Sequence, residues 1–172
     1  TGHMVFSTVH TNSAAGIIPR LIDLGANPNI LVSALSVGIA QRLVRRVCKN
    51  CGTTRTPNTI ELETIKKVIE NAKTLGKDIV ADIDITKPYT IPEAVGCEKC
   101  NMTGYKGRIG VFEAILTDEA IAKIIVNQPS ERDIEKIAEH QGILNMSEDG
   151  IIKVLHGITT YEEVASVVDM VT

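Results

Sequence analysis

The four cysteines are the residues whose type and spacing point most directly to chemistry. They form two Cys-x-x-Cys pairs, Cys48 with Cys51 and Cys97 with Cys100, and 45 residues separate the pairs. Each short loop places two sulfurs on one side of a tetrahedron, which is the arrangement of a four-cysteine zinc site. Because four protein ligands leave no coordination position open, the pattern predicts a structural Zn²⁺ ion and not a catalytic one.

Two other uses of these cysteines stay open from the residues alone. They could form disulfides, or one pair could be redox-active, which normally requires a Cys-x-x-Cys that opens a helix after a strand. The grouping of all four cysteines into tight pairs favours metal ligation in a reducing compartment. Cations close in sequence either offset the negative charge of four thiolates or form a solvated surface: Arg45, Arg46, Lys49, Lys99, Lys106 and Arg108.

A second polar group follows the apolar residues 4–9, which the pattern predicts to be a buried strand. Thr8, His10 and Thr11 lie where this strand gives way to a polar loop. In open α/β sheets, ligands bind beyond the carboxyl ends of strands, so these side chains could contact a phosphate or orient a water. A helix cap and a structural histidine remain the simpler interpretation of this segment by itself.

Other nucleotide-binding patterns are absent from the sequence. It contains no Gly-x-x-x-x-Gly-Lys-Ser/Thr loop. The glycine series Gly104, Gly107 and Gly110 has the wrong spacing for a dinucleotide fingerprint and does not open a helix. It predicts a tight turn before a strand instead.

The composition is that of a globular chain: 172 residues, of which 44% are hydrophobic and 23% charged. A net charge of −3 and only 3% aromatic residues argue against a surface devoted to nucleic acid. The chain opens without a signal peptide, and its longest apolar run, Ile30 to Ala40, is too short to span a membrane. This run predicts a buried helix.

Helical periodicity predicts a first helix over Ala14–Leu24, begun by Asn12 or Ser13, bent at Pro19 and ended by Gly25. Residues 29–47 predict a second, long helix with a basic C-terminal end.

The sequence predicts that residues 52–96 are an insertion between the cysteine pairs. It contains one amphipathic helix, marked by apolar residues over 60–69 and bounded by Pro57 and Gly76, and an extended segment over 77–96. After the glycine turn, a strand is predicted at Ile109–Leu116. The remaining predicted elements are helices at about 118–127, 130–141, 147–156 and 160–171.

Taken together, these segments resemble the type II secretion and type IV pilus assembly ATPases. Thr1 to Ala15 is similar to the His box of that family. The similarity continues in order along the chain, through residues 18–23, 39–48, 97–100, 104–108, 148–150 and 159–164. The insertion at 52–96 matches only weakly, and the four cysteines resemble assembly and secretion ATPases more than pilus-retraction ATPases.

The resemblance implies an α/β, mostly helical fragment that is the C-terminal part of a RecA-like P-loop ATPase domain. Residues 1–47 would belong to the ATPase core, 48–110 to a tetracysteine zinc-binding subdomain, and 111–172 to a small helical C-terminal lobe. The family's phosphate-binding loop lies upstream of these motifs, so we expect this fragment not to hydrolyse ATP alone.

The resemblance also implies roles for individual residues. His3 and His10 match the His-box histidines, which sense or help to position the γ-phosphate region, with Thr8 and Thr11 as nucleotide contacts beside them. Arg20 and Arg42 match recurring positions to which we assign no role.

For the full-length parent, the resemblance implies a hexamer that uses ATP and Mg²⁺ at the cytoplasmic face of the inner membrane. Its partners would be the membrane platform proteins of a secretion or pilus machine, without a transmembrane segment of its own. The alternative is an independent zinc-ribbon-like module that binds nucleic acid. Its basic patch would be Arg42, Arg45, Arg46, Arg55, Lys106 and Arg108.

Overall fold

The computed structural model describes residues 3–77, 83 and 88–170 as a mixture of helices and strands. The chain divides into two compact units, one of Thr1–Ala40 with Ala114–Gln141 and one of Gln41–Glu113 with Gly142–Thr172. Two long strands, β1 (Val37–Val47) and β4 (Tyr105–Leu116), pair with each other and each contribute residues to both units.

Among the described residues, the first unit contains four short helices around an aliphatic core. They are α1 (Ile17–Asp23), α2 (Pro28–Ala34), α4 (Glu119–Ile125) and α5 (Glu131–Ala138), the last followed by a 3-10 turn at Glu139–Gln141. The buried side chains that these helices share are Ala15, Ile18, Leu31, Ile121, Ile125 and Ile134. With so few aromatic residues in the chain, aliphatic packing has to supply most of the hydrophobic stabilisation here.

Helix α1 differs from its prediction at the start and agrees at the end. It begins three residues later than predicted, because the Ser13 hydroxyl accepts a hydrogen bond from the Gly16 N–H at 3.0 Å and holds a turn before the helix. Pro19 therefore falls in the first turn, where its missing N–H costs nothing, and does not bend the helix. Gly25, with φ +91°, ends the helix as predicted.

The long helix predicted over residues 29–47 is wrong. The segment forms α2 and then turns into β1, so the arginines near Val47 lie on a strand and not at a helix C-terminus. A continuous apolar run gives the same signal for a buried helix and a buried strand, and pairing with β4 decides between them.

The buried strand predicted at residues 4–9 is also wrong. The segment has no regular structure, and Met4, Val5 and Phe6 are 84%, 80% and 89% exposed. A strand needs a neighbour to supply hydrogen bonds and apolar surface. Within the part of the chain that the structure describes, no strand pairs with this segment.

The second unit contains the insertion and the C-terminal helices. Strand β2 (Thr53–Arg55) pairs antiparallel with β3 (Ile91–Glu93), with Thr53 opposite Glu93. Helix α3 (Thr59–Thr74) precedes β3, and α6 (Met146–Leu155) and α7 (Tyr161–Ala165) follow β4. The buried core comprises Val44, Ile65, Val68, Ile69, Ala72, Ile91, Val111, Ile151, Ile152, Val154 and Val164.

Helix α3 confirms the amphipathic helix predicted inside the insertion. Asn58 and Glu61 form a capping box at its start, and Gly76, with φ +69°, ends it. Part of the extended segment predicted over 77–96 lies outside the described residues, and β3 is the strand described within it.

The predicted strand at Ile109–Leu116 and three of the four helices after it are confirmed within a few residues. The last helix, α7, ends at Ala165, well before the predicted residue 171. Among the described helices, none has the length and apolar character needed to cross a membrane.

Candidate metal centre

The first cysteine pair lies directly after β1. Cys48 follows the last strand residue, and the chain turns back so that the Gly52 N–H donates to the Cys48 carbonyl at 2.8 Å. A Cβ on Gly52 would lie 2.4 Å from Cγ1 of Val47 and 3.0 Å from the Cys48 carbonyl oxygen, so a larger residue would crowd this turn. The tight turn directs Cys48 and Cys51 to the same side of the loop.

The second pair lies at the two ends of a short 3-10 helix ahead of β4, Glu98–Cys100, with Cys97 directly before the helix and Cys100 as its last residue. The Met102 N–H returns to the Cys97 carbonyl at 2.9 Å. Asn101 and Met102 both adopt left-handed backbone conformations, with φ of 51° and 59°. Two consecutive left-handed residues that are not glycine are uncommon, and here they close the loop around the cysteines.

The four sulfurs converge on one point. Cys51 and Cys100 lie 3.7 Å apart, as do Cys97 and Cys100, and Cys48 lies 4.0 Å from Cys97. All four ligand atoms are within 4.8 Å of one another, and the thiols are free. With a zinc–sulfur bond of about 2.3 Å, the edge of a tetrahedron is about 3.8 Å, so the sulfurs fit a single ion.

Backbone groups join the two pairs. The Cys48 N–H donates to the Gly104 carbonyl at 2.9 Å, and the Gly104 N–H donates to the Cys100 sulfur at 3.3 Å. The Cys97 N–H donates to the same sulfur at 3.1 Å. Hydrogen bonds from N–H groups to sulfur stabilise the thiolate form, which is the form that binds a metal.

These surroundings separate the acidities of two of the thiols. Burial is the main effect that raises the pKa of the Cys51 thiol to about 12. The three neighbouring thiols raise it further, and one hydrogen bond from the Gly96 backbone opposes these effects. Burial also opposes ionisation of Cys100, but the N–H groups of Cys97 and Gly104 and the adjacent thiols lower its pKa to about 6. Metal binding by this set therefore has to release protons, which makes the affinity fall as the pH falls.

The residues predicted from the His box are placed differently from the cysteines. His3, Thr8 and His10 are exposed, and the Thr11 hydroxyl donates to the Ser13 carbonyl at 2.9 Å. That bond is a local turn contact, and α1 has Gly16 as its N-cap with no side-chain cap bond. Within the described residues, nothing gathers these four side chains into a common pocket.

Two arginines of the alternative nucleic-acid patch have carboxylate partners. Arg45 pairs with Glu163 and lies over the Tyr105 ring at 4.1 Å, while Arg55 bonds Glu61 and Glu162, each at 2.6 Å. Arg45 lowers the pKa of the Glu163 carboxyl by hydrogen bonding to it. These pairs neutralise much of the charge that a phosphate backbone would need.

Sequence reasoning missed the residues that hold the surroundings of this centre together. The Tyr105 and Thr160 hydroxyls are 3.0 Å apart, and the Thr159 hydroxyl donates to the Arg45 carbonyl at 2.8 Å. Gly104 was predicted only as part of a turn. The available signal was its place four residues after Cys100, where a loop around a metal has to close.

The geometry thus defines a mixed α/β chain with a four-thiol centre suited to one structural metal ion. The model of the type II/IV secretion system protein family matches residues 1–166. The chain belongs to that family, which confirms the resemblance drawn from the sequence.

Three individual relatives are similar to most of this chain. The type IV pilus assembly ATPase PilB of Thermus thermophilus is 40% identical over 164 residues, covering 95% of this chain and 17% of that protein. The type II secretion system protein E of Aeromonas hydrophila is 41% identical over 168 residues, covering 97% of this chain and 30% of the relative. The type II secretion system ATPase E of Vibrio cholerae is 36% identical over 167 residues, again covering 97% and 30%. The chain therefore spans less than a third of the length of these relatives.

Proposed function

We propose that this chain is the C-terminal portion of a hexameric ATPase that powers type IV pilus assembly or type II protein secretion. The observation that carries the proposal is the family match over residues 1–166, with relatives named as pilus assembly and secretion ATPases. In this role the chain ends a RecA-like core (1–47), followed by a zinc-binding subdomain (48–110) and a helical lobe (111–172). The machine works at the cytoplasmic face of the inner membrane, against membrane platform proteins.

The metal in this proposal is Zn²⁺, held by Cys48, Cys51, Cys97 and Cys100. The sulfur separations of 3.7–4.0 Å support a single tetrahedral ion, and four thiolates make its role structural. Chain purified under reducing conditions should contain about one zinc per molecule by elemental analysis. Folded chain without metal, or with iron in its place, would contradict the zinc assignment.

The nucleotide chemistry in this proposal belongs to the longer protein. There, His10 and His3 would help to position the γ-phosphate of ATP·Mg²⁺, and Thr8 and Thr11 would contact the nucleotide. The exposure of His3, Thr8 and His10 in this chain supports a role completed by segments outside it.

The test compares the full-length protein with its His10→Ala variant. Turnover of ATP should fall by about 10²-fold or more while nucleotide affinity changes much less, because positioning of a reacting phosphate acts on the transition state. His156→Ala provides a control histidine outside the His box. Wild-type turnover in His10→Ala would assign His10 to a structural role, and the 172-residue chain alone should show no ATPase activity.

The nucleic-acid module receives little support. Arg45 and Arg55 are already paired with carboxylates, and the net charge is −3. Binding of this chain to DNA or RNA that weakens steeply with salt would reverse this judgement.

A further inference from the structure

We infer that Gly104 is a positioning residue of the metal centre, whose backbone bridge between the two cysteine pairs sets how tightly the metal is held. The inference rests on the proposed metal binding, because it concerns the same four thiols. Gly104 would then be a determinant of metal affinity that is neither a metal ligand nor adjacent to one in the sequence.

The bridge uses both polar groups of one peptide residue. The carbonyl of Gly104 accepts from the N–H of Cys48 at 2.9 Å, and its N–H donates to the Cys100 sulfur at 3.3 Å. One contact therefore fixes the backbone of the first pair, and the other fixes a ligand atom of the second. A displacement of Gly104 disturbs one ligand in each pair at once.

Glycine is required at this position for two separate reasons. Its φ of +77° lies in the left-handed region, where other residues are strained. A Cβ would also lie 2.7 Å from the Cβ of Ala94 and 3.0 and 3.1 Å from its carbonyl carbon and Cα. Because two of those three atoms are backbone, no side-chain rotation relieves the contact, and the Gly104 peptide has to move.

Gly107 provides a matched control three residues after Gly104, within β4. Its φ is +82°, so an alanine there meets the same backbone strain. The nearest atom to a Cβ on Gly107 is Cδ of Arg46 at 4.0 Å, an ordinary contact with a flexible side chain. Gly104→Ala and Gly107→Ala therefore share the backbone strain. Only Gly104→Ala also crowds the Ala94 backbone and disturbs the hydrogen bonds to the cysteines.

The first experiment measures Zn²⁺ affinity by competition with a chromophoric chelator for wild type, Gly104→Ala and Gly107→Ala under reducing conditions. Loss of contacts that orient metal ligands typically weakens affinity by about 10–100-fold, and we expect a loss of that size for Gly104→Ala. Gly107→Ala should stay within about threefold of wild type, since it leaves these contacts intact. With Co²⁺, only Gly104→Ala should shift the thiolate charge-transfer and ligand-field bands.

A rescue variant separates crowding from misfolding. In Gly104→Ala/Ala94→Gly, the contact at 2.7 Å disappears while those at 3.0 and 3.1 Å remain, so affinity should recover in part. No recovery, with wild-type secondary structure by circular dichroism, would contradict the crowding argument.

A second measurement needs no variant. In ¹¹³Cd²⁺-loaded wild-type chain, proton–cadmium correlation through N–H···S bonds should detect the amide protons of Gly104 and Cys97. A spectrum that shows Cys97 but not Gly104 overturns the inference.

Failure of the proposed zinc site and failure of the Gly104 role give different results in these experiments. Wild type that binds no metal overturns the proposed zinc site itself. Wild type that binds metal, with Gly104→Ala equal to it or Gly107→Ala equally impaired, overturns the positioning role alone.

Discussion

The cysteine loops and the His-box segment are both recognisable in the sequence, yet the structure treats them in opposite ways. The loops converge on one point, with sulfurs 3.7–4.0 Å apart and backbone bonds between the pairs. Residues 3–10 have no regular structure, and Phe6 is 89% exposed. The difference teaches that the cysteines are brought together by hydrogen bonds among the described residues themselves, whereas residues 3–8 and His10 are left exposed.

The largest effect on stability is expected when one of the four cysteines is replaced. Cys100→Ser should abolish stable zinc binding and unfold the second unit at ordinary temperature, because structural zinc contributes on the order of 10 kcal/mol in small metal-dependent folds. Metal content and thermal unfolding measure the effect. His10→Ala in the same chain should shift the free energy of unfolding by less than about 0.5 kcal/mol, since exposed positions rarely matter. A comparable loss of stability in Cys100→Ser and His10→Ala would contradict the difference between the cysteine loops and the His-box segment.

The second prediction concerns a buried ion pair in the second unit. Lys77 donates to Glu148 at 2.6 Å, and the side chains are 5% and 2% exposed. Lys77→Met should destabilise this unit by about 3–5 kcal/mol, because it leaves a buried carboxylate without its partner. Urea unfolding gives the value. Lys77→Met/Glu148→Gln should recover much of the loss, since the amide oxygen can still accept from the Asn145 N–H, which donates to Glu148 at 2.8 Å at the start of α6. Failure to recover would argue against the charge explanation.

A smaller effect is expected from Glu163, which accepts hydrogen bonds from the Arg45 backbone N–H and Nε, each at 2.9 Å. Glu163→Gln should cost about 1 kcal/mol, because Arg45 is half exposed and solvent screens the pair. Arg45 lowers the pKa of this carboxyl, so its contribution is present above the unfolded pKa and is lost as the pH falls through the folded one. Stability of wild type and variant should therefore converge in acid, and a constant difference would contradict the assignment.

The smallest predicted effect lies in the first unit. His140 contacts Asp118 at 2.8 Å, and the pKa of His140 is raised, first by its bond to the Ile137 carbonyl and also by the Asp118 charge. Its contribution is fully present below the unfolded pKa of about 6.5 and is lost as the pH rises through the folded value. The melting temperature of wild type should drop slightly relative to His140→Gln between pH 6 and 8. Parallel curves would show that the contact carries no charge effect.

Local signals in the sequence were enough to predict the four-cysteine cluster and the helices α3 and α6 of the second unit. Cysteine spacing predicted which four thiols lie close enough to hold a metal, and periodicity located α3, where Ile65, Val68 and Ile69 are buried. Both signals depend on residues close in sequence.

The predictions failed where the outcome depends on distant partners. Strand β1 was predicted as a helix because its apolar run fits either structure until pairing with β4 is known. Residues 4–9 have a strand-like composition, and composition cannot supply the neighbouring strand. Gly104 was predicted in a turn, but its contact with Ala94 depends on the arrangement of the whole loop.

The 45 residues between the cysteine pairs form a closed loop once a metal joins its ends. The entropy of closing such a loop grows only with the logarithm of its length, so doubling it costs about 0.6 kcal/mol. Chain inserted between α3 and β3 would therefore add little to the cost of folding, provided the cysteines and the buried face of α3 are retained. The metal centre would make this segment a natural place for sequence length to vary, and a suitable one for inserting a reporter peptide.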